Sequence, residues 1–291
     1  LQNKIKESKM KKLNLKKVTL LIVICVTAIG TVYYGVQFLS LTGVKDSTPD
    51  SQPTNARNLF SHLSYYDEDK LEQYEVYQQN NPTLSIEDIV THVNMGIDVP
   101  FFTRDPIIIE NPEAIDVLVN KVYKFPEDWE PDLSEFVWLT DSQRMRSEAA
   151  IAFKALSEAC ASKGFTIQAL STYRSFDRQD VIYHNNLTRY GEDYTNQYSS
   201  RPGHSEHQSG LAVDVGIDGG AFVDIESDPN YETFLGLLEE FGFIIRYLEG
   251  KEHLTGYAYE PWHIRYLGTD LAKQVNKSGL TYDEYVARLG K

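Results

Sequence analysis

Two short stretches set the tightest condition on what this chain can fold into. Ser205-Glu206-His207-Gln208-Ser209-Gly210-Leu211-Ala212-Val213-Asp214 carries an imidazole and, seven residues on, a carboxylate. Glu260-Pro261-Trp262-His263 carries a second imidazole, with a carboxylate three residues before it. Two His and one Asp can hold a zinc ion and leave its fourth position open for water. Such a site works only if rigid elements bring the donors to one point. His207 lies just before a predicted strand, Asp214 within it, and His263 at the start of another. Adjacent antiparallel strands would meet the condition. A spare Glu beside the donors is the usual proton carrier of metal-assisted hydrolysis. The residues therefore point to a zinc-dependent hydrolase.

Charge narrows the partners. The chain of 291 residues has a formal net charge of -14, but its first 17 residues hold seven Lys and one Glu, about +6. The remainder carries about -20. An acidic body argues against nucleic acid as partner, because binding there depends on neutralising phosphates. The two cysteines, Cys25 and Cys160, cannot build a disulfide framework and read as small buried hydrophobes.

Residues 1–17 form a basic tail. Residues 18–39 are apolar and uncharged, long enough to cross a bilayer as a helix. The preceding lysines place the N-terminus in the cytoplasm and the rest outside, so an uncleaved single-pass membrane anchor is expected over a cleaved signal peptide. Residues 40–58 have the Pro/Ser/Asp/Asn composition of a linker. An N-terminal extension, 59–108, and a catalytic domain, 109–291, follow.

Within the globular part, Ser85 caps a helix over Ile86–Val90. Ile115–Val122 alternates like a short strand. Thr140 or Asp141 caps a helix to about Lys163 that buries Ala149, Phe153, Leu156 and Cys160. A strand over Phe165–Leu170 and a helix over Phe176–Arg189 come next. Residues 192–210 read as irregular. Leu211–Ile217 is a strand, Tyr231–Phe241 a helix, Phe243–Leu248 a strand, Gly250–Gly256 a turn and Trp262–Leu267 a strand. Two short helices close the chain. The order implies an α+β domain with a small, largely antiparallel sheet and flanking helices.

Ser205-x-His207-x-x-Gly210-x-Ala212-x-Asp214 and Glu260-x-x-His263 resemble the two signature motifs of the VanY-type D-alanyl-D-alanine carboxypeptidases. These zinc peptidases share their fold with the Hedgehog signalling domain. Leu118-Val119-Asn120-Lys121, Tyr173-Arg174-Ser175 with Gln179, Pro202-Gly203-His204 and Arg265-Tyr266 resemble that family in order and spacing, over roughly residues 110–270. The resemblance implies zinc held by His207, Asp214 and His263, with Glu260 as catalytic base and Arg174 facing the scissile carbonyl. It also implies a wall peptide ending in D-alanine as substrate.

Further readings complete the site. Arg174 is a fixed cation suited to a developing oxyanion. Gln179, Ser205 and Tyr247 are candidates for hydrogen bonds to substrate, although Ser205 can equally serve only to shape the turn before His207. His204 is not expected to be a ligand, and Trp262 is expected in the core. The expected activity is removal of C-terminal D-alanine from peptidoglycan stem peptides, with the D,D bond slightly favoured. The alternatives are an L,D-carboxypeptidase, a peptidoglycan endopeptidase and a non-enzymatic wall-binding module. Retention of Glu260 favours an enzyme over a binder.

Overall fold

The computed structural model describes residues 59–134 and 143–290. The expected membrane segment, the linker, Cys25 and the helix cap at Thr140 or Asp141 lie outside them. Among the described residues no helix is long and apolar enough to cross a membrane.

Among the described residues a 3-10 turn (Glu68–Lys70) leads into α1 (Leu71–Asn80), and α2 (Ile86–Met95) follows. Ser85 Oγ accepts from Asp88 N at the start of α2, and Gly96 at φ 76° ends it. Both are standard ways of satisfying orphan groups at helix ends. Phe60, Tyr74, Ile89, Val90 and Val93 make a small core of their own. A two-residue strand, β1 (Ile107–Ile108), then pairs in parallel with β2 (Tyr123–Lys124).

Next come α3 (Ser147–Ser162), β3 (Ile167–Ser171), α4 (Phe176–Tyr190), α5 (Glu192–Tyr198), β4 (Ala212–Ile217), α6 (Tyr231–Leu238), β5 (Phe243–Tyr247), α7 (Glu252–Thr255) and β6 (Glu260–Tyr266). The last two helices are α8 (Thr269–Ser278) and α9 (Tyr282–Ala287). Four strands form an antiparallel sheet in the order β3-β4-β6-β5. The α+β expectation therefore holds.

Alternation along each strand divides the sheet into two faces. Val213, Val215 and Ile217 of β4, Ile264 of β6 and Phe243 of β5 join the main core with Phe153, Leu156 and Cys160 of α3 and Phe234 of α6. Each fully buried side chain of this size is worth about 1.5–3 kcal/mol relative to exposure. The opposite face carries polar side chains. Asp214 stands opposite His263, and Ala212 opposite Arg265.

Three segments depart from the expectations. Ile115–Val122 is not a strand, although Val117 and Val119 are buried as the alternation implied. Side chains take the place of a neighbouring strand here: Arg265 donates to the carbonyls of Ile115 and Val117, and Arg246 to that of Val119. Residues 192–210 contain α5 and a 3-10 turn, Glu206–Ser209, rather than a wholly irregular run. The turn at 250–256 holds the single helical turn α7. The start of α3 also falls later than expected, because Met145 pairs with Ser134 as an isolated bridge just before it.

The final helix joins the N-terminal helices to the sheet domain. Asn94 Nδ2 reaches the Ala287 carbonyl, and Arg288 donates to Thr91 Oγ1.

Candidate active site

The 3-10 turn Glu206–Ser209 delivers His207, and Gly210 makes the sharp exit into β4. Gly210 has φ +69°, and a Cβ there would lie 3.0 Å from Leu133 Cδ2 and 3.3 Å from the Arg146 backbone nitrogen. Only glycine suits that position. His207 is buried, and its Nδ1 lies 2.7 Å from the Thr172 carbonyl. A carbonyl can only accept, so Nδ1 carries the hydrogen and Nε2 keeps its lone pair. That Nε2 is 3.2 Å from Asp214 Oδ2.

His263 approaches from β6. Its Nδ1 is 3.1 Å from Asp214 Oδ1, and its Nε2 is 3.3 Å from Glu206 Oε2. The donor atoms of His207, Asp214 and His263 all lie within 4.8 Å of one another. Tetrahedral zinc with bonds of about 2.0–2.1 Å spaces its ligand atoms roughly 3.3 Å apart. The N···O separations match that spacing, and the donor types suit the ion. The three expected ligands thus converge, each with a partner on its far side where it has one to orient.

Glu260 begins β6, with Oε2 3.7 Å from His263 Nδ1. Burial pushes its carboxyl up to about 7, and the Asp214 charge adds to this against the opposing pull of His263. For Asp214 burial also opposes ionisation, but the charges and hydrogen bonds of His207 and His263 prevail and hold it well below the usual carboxylate range. Burial works against a charged His263 ring, yet its hydrogen bonds to Asp214 and Glu206 carry it up to about 10. Burial lowers His207.

Arg174 sits between β3 and α4. Its Nη2 donates to Ser171 Oγ at 2.9 Å and lies 3.9 Å from Asp214 Oδ2. Its Nη1 donates to Gln179 Oε1 at 2.7 Å. The expectation that Gln179 touches substrate is corrected here. Gln179 is 1% exposed, and its amide nitrogen is spent on the Ser200 carbonyl at 2.6 Å. It holds Arg174 in place instead.

Ser205 and Tyr247, by contrast, line the same cavity as Arg174, His207, Asp214, Glu260 and His263, with a volume of about 210 Å³. Trp262 packs against the main core as expected. It also meets Phe222 in a T-shaped contact at 4.9 Å and lines the cavity, so it is part of the wall as well. His204 lies apart from the three donors, with Nδ1 2.7 Å from the Asn120 carbonyl.

Sequence reasoning gave no role to Glu206, Arg246 or Arg265. Arg246 and Arg265 are fully buried, and both donate to Glu206 Oε1, at 2.7 and 2.9 Å. Arg246 also donates to Asp283 Oδ2 of α9. A signal was present: an arginine within the apolar run Phe243–Tyr247 needs a buried carboxylate.

The sequence matches a family model described as VanY: D-alanyl-D-alanine carboxypeptidase over residues 142–269. It is 40% identical over 193 residues to the putative carboxypeptidase YodJ of Bacillus subtilis (strain 168), covering 63% of this chain and 71% of YodJ. A D-alanyl-D-alanine carboxypeptidase of Enterococcus faecalis is 32% identical over 182 residues, 58% of this chain and 65% of that protein. Among solved structures, the LD-carboxypeptidase LdcB aligns with a TM-score of 0.59 at 37% identity, covering 65% of this chain and 94% of LdcB. The D,D-pentapeptidase VanY from a VanB-type resistance cassette, solved with Zn(II), aligns with a TM-score of 0.52 at 28% identity, covering 59% and 98%. Motifs, site geometry and these alignments agree: the chain belongs to the VanY family of D-alanyl-D-alanine carboxypeptidases.

Proposed function

We propose that this chain is a zinc carboxypeptidase that removes C-terminal D-alanine from peptidoglycan stem peptides. The observation that carries the reading is the convergence of His207 Nε2, Asp214 and His263 Nδ1 beside the half-buried Glu260 carboxyl. Zinc held by those three residues would supply a Lewis acid and make water a nucleophile near neutral pH. Glu260, with its carboxyl near 7, is matched to accepting a proton from water and returning it to the leaving amine. Arg174, fixed by Ser171 and Gln179, directs its charge toward the carbonyl oxygen as negative charge develops there. Ser205 and Tyr247 line the wall where polar contacts to the substrate are made.

The cavity is smaller than the ~300–1,000 Å³ of typical ligand pockets, which suits the end of a short peptide. A small pocket rejects larger side chains by overpacking, while a missing methyl costs only about 1–3 kcal/mol, so glycine should be tolerated better than leucine. D,D cleavage of a pentapeptide is the first reading. The 37% identity to LdcB, against 28% to VanY, supports L,D cleavage of a tetrapeptide as the second.

The test offers the purified chain pentapeptide, tetrapeptide and C-terminally amidated pentapeptide, and follows loss of one alanine by mass. Loss from only one of the free acids assigns the bond. Equal cleavage of the amidated peptide would replace the carboxypeptidase reading with the endopeptidase alternative.

We propose further that residues 18–39 anchor the protein in the cell membrane with the catalytic domain outside. The lysines before an uncharged apolar run support this. Protease added to intact cells should then reach the domain, and its protection would overturn the placement.

A further inference from the structure

Glu206 has no part in the reaction described above, yet it is 1% exposed and touches one of the three metal-facing residues. Its Oε1 accepts from Arg246 Nε and Arg265 Nη1. Both guanidinium groups are themselves held, Arg246 by Asp283 and Arg265 by the carbonyls of Ile115 and Val117, each at 2.8 Å. A carboxylate between two permanent cations stays ionised and can only accept. The hydrogen between Glu206 Oε2 and His263 Nε2 therefore belongs to the imidazole. Asp214 is ionised as well and faces Nδ1, so the metal-free ring keeps a hydrogen on each nitrogen. The Nδ1 hydrogen, on the side of the other two donors, is the one a metal would displace, leaving Nε2–H on Glu206.

His207 reaches the same end by the opposite assignment. Its Nδ1 donates to the Thr172 carbonyl and Nε2 faces Asp214. Two histidines of one site thus present different nitrogens, and the group behind each ring accounts for the choice.

We propose that Glu206 is a positioning residue that selects the Nδ1-presenting tautomer of His263 and, braced by Arg246 and Arg265, fixes the plane in which that nitrogen meets the metal. The inference rests on the zinc reading of His207, Asp214 and His263. The bland alternative makes Glu206 only a counter-charge for two buried arginines, with no influence on the ring.

The experiment labels the ring nitrogens of the histidines with ¹⁵N and assigns them by single His→Gln variants. Spectra of the full chain are recorded without and with zinc. In the parent, zinc should shift Nδ1 of His263 and Nε2 of His207, with the other nitrogen of each ring protonated. Glu206→Gln replaces an obligate acceptor with an amide that can either donate or accept. In the zinc-loaded spectra it should let His263 bind through either nitrogen, leave His207 unchanged, and weaken zinc about 10–100-fold by chelator competition. Asp283→Asn, which removes a charge from the Nη1 side of Arg246 but leaves both guanidinium groups on Glu206, should lower stability and leave zinc affinity within a few-fold of the parent.

Zinc on Nε2 of His263 in the parent overturns the proposal even if Glu206→Gln fails to fold. So does a folded Glu206→Gln with parental affinity and tautomer. A zinc shift on His207 but not on His263 overturns this inference alone. No zinc shift on either ring overturns the zinc reading and this inference with it.

Discussion

Two glutamates flank the His263 imidazole, and the protein treats them in opposite ways. Glu206 approaches Nε2 at 3.3 Å and Glu260 approaches Nδ1 at 3.7 Å. Both are largely buried, and burial raises the pKa of each. Beneath the ring, Arg246 and Arg265 overcome that cost and keep Glu206 well below the usual carboxylate range. Above it, Glu260 has no guanidinium in hydrogen-bond contact among the described residues and faces the like charge of Asp214, so it stands near 7. When environments drive two like groups apart, their roles separate. One carboxylate is fixed as an anion, while the other can exchange a proton at working pH.

The largest effect should come from the upper glutamate. Glu260→Gln should lower turnover by about 10²–10⁴-fold while zinc content stays at the parent level. Turnover within a few-fold of the parent would break the contrast, because another group would then be moving the proton.

The lower glutamate should show itself in stability. Arg246→Met leaves Glu206 and Asp283 short of a cation, and removing one partner of a buried pair costs about 3–5 kcal/mol. Urea unfolding measures this. A loss within the roughly 0.5 kcal/mol typical of surface changes would mean that the lower cluster is not braced as described.

Two buried histidines sharpen the same point. His263, between carboxylates, is raised to about 10, whereas burial pushes His204 down to about 4. His204 faces the Asn120 carbonyl and the charges of Lys124, Arg201 and Lys121. Its folded pKa lies below the unfolded value, so its contribution to stability is present above about pH 6.5 and is lost as pH falls through about 4. The slope should be shallower in His204→Gln, with a difference of about 3 kcal/mol across that window. Parallel curves would show that burial does not govern this ring.

The smallest expected effect lies at the start of α4. Ser175 Oγ accepts from Arg178 N, and Ser175→Ala should cost about 1 kcal/mol in thermal or urea unfolding. Zinc affinity should not change, since Ser175 contacts none of the three donors. A change would tie the helix cap to His207, Asp214 and His263.

The donors were legible because their chemistry restricts residue type and their spacing restricts the strands. His207, Asp214, His263 and Glu260 meet where the two motifs implied. The helix start at Ser85 was equally readable, since an N-cap has a local signature. Ile115–Val122 was not, because a strand and an extended segment held by arginine side chains show the same alternation. Gln179 was misread for a related reason. Its helix position was clear, but whether an amide turns to the cavity or to Arg174 depends on neighbours distant in sequence. Glu206 was hidden beside a ligand, since its partners lie about 40 and 59 positions away.

The pairing of Asp214 with His263 across β4 and β6 also makes the site a reporter of strand alignment. A slip of one residue between these strands would turn one donor to the core face and bury a charge there. If a metal is held by this pair, it would bind only the correctly aligned sheet, and mass action would add stability to that alignment and none to its slipped neighbours. Loading the ion would then act as proofreading of the fold, and the step that completes the catalyst would also discriminate against chains assembled out of register.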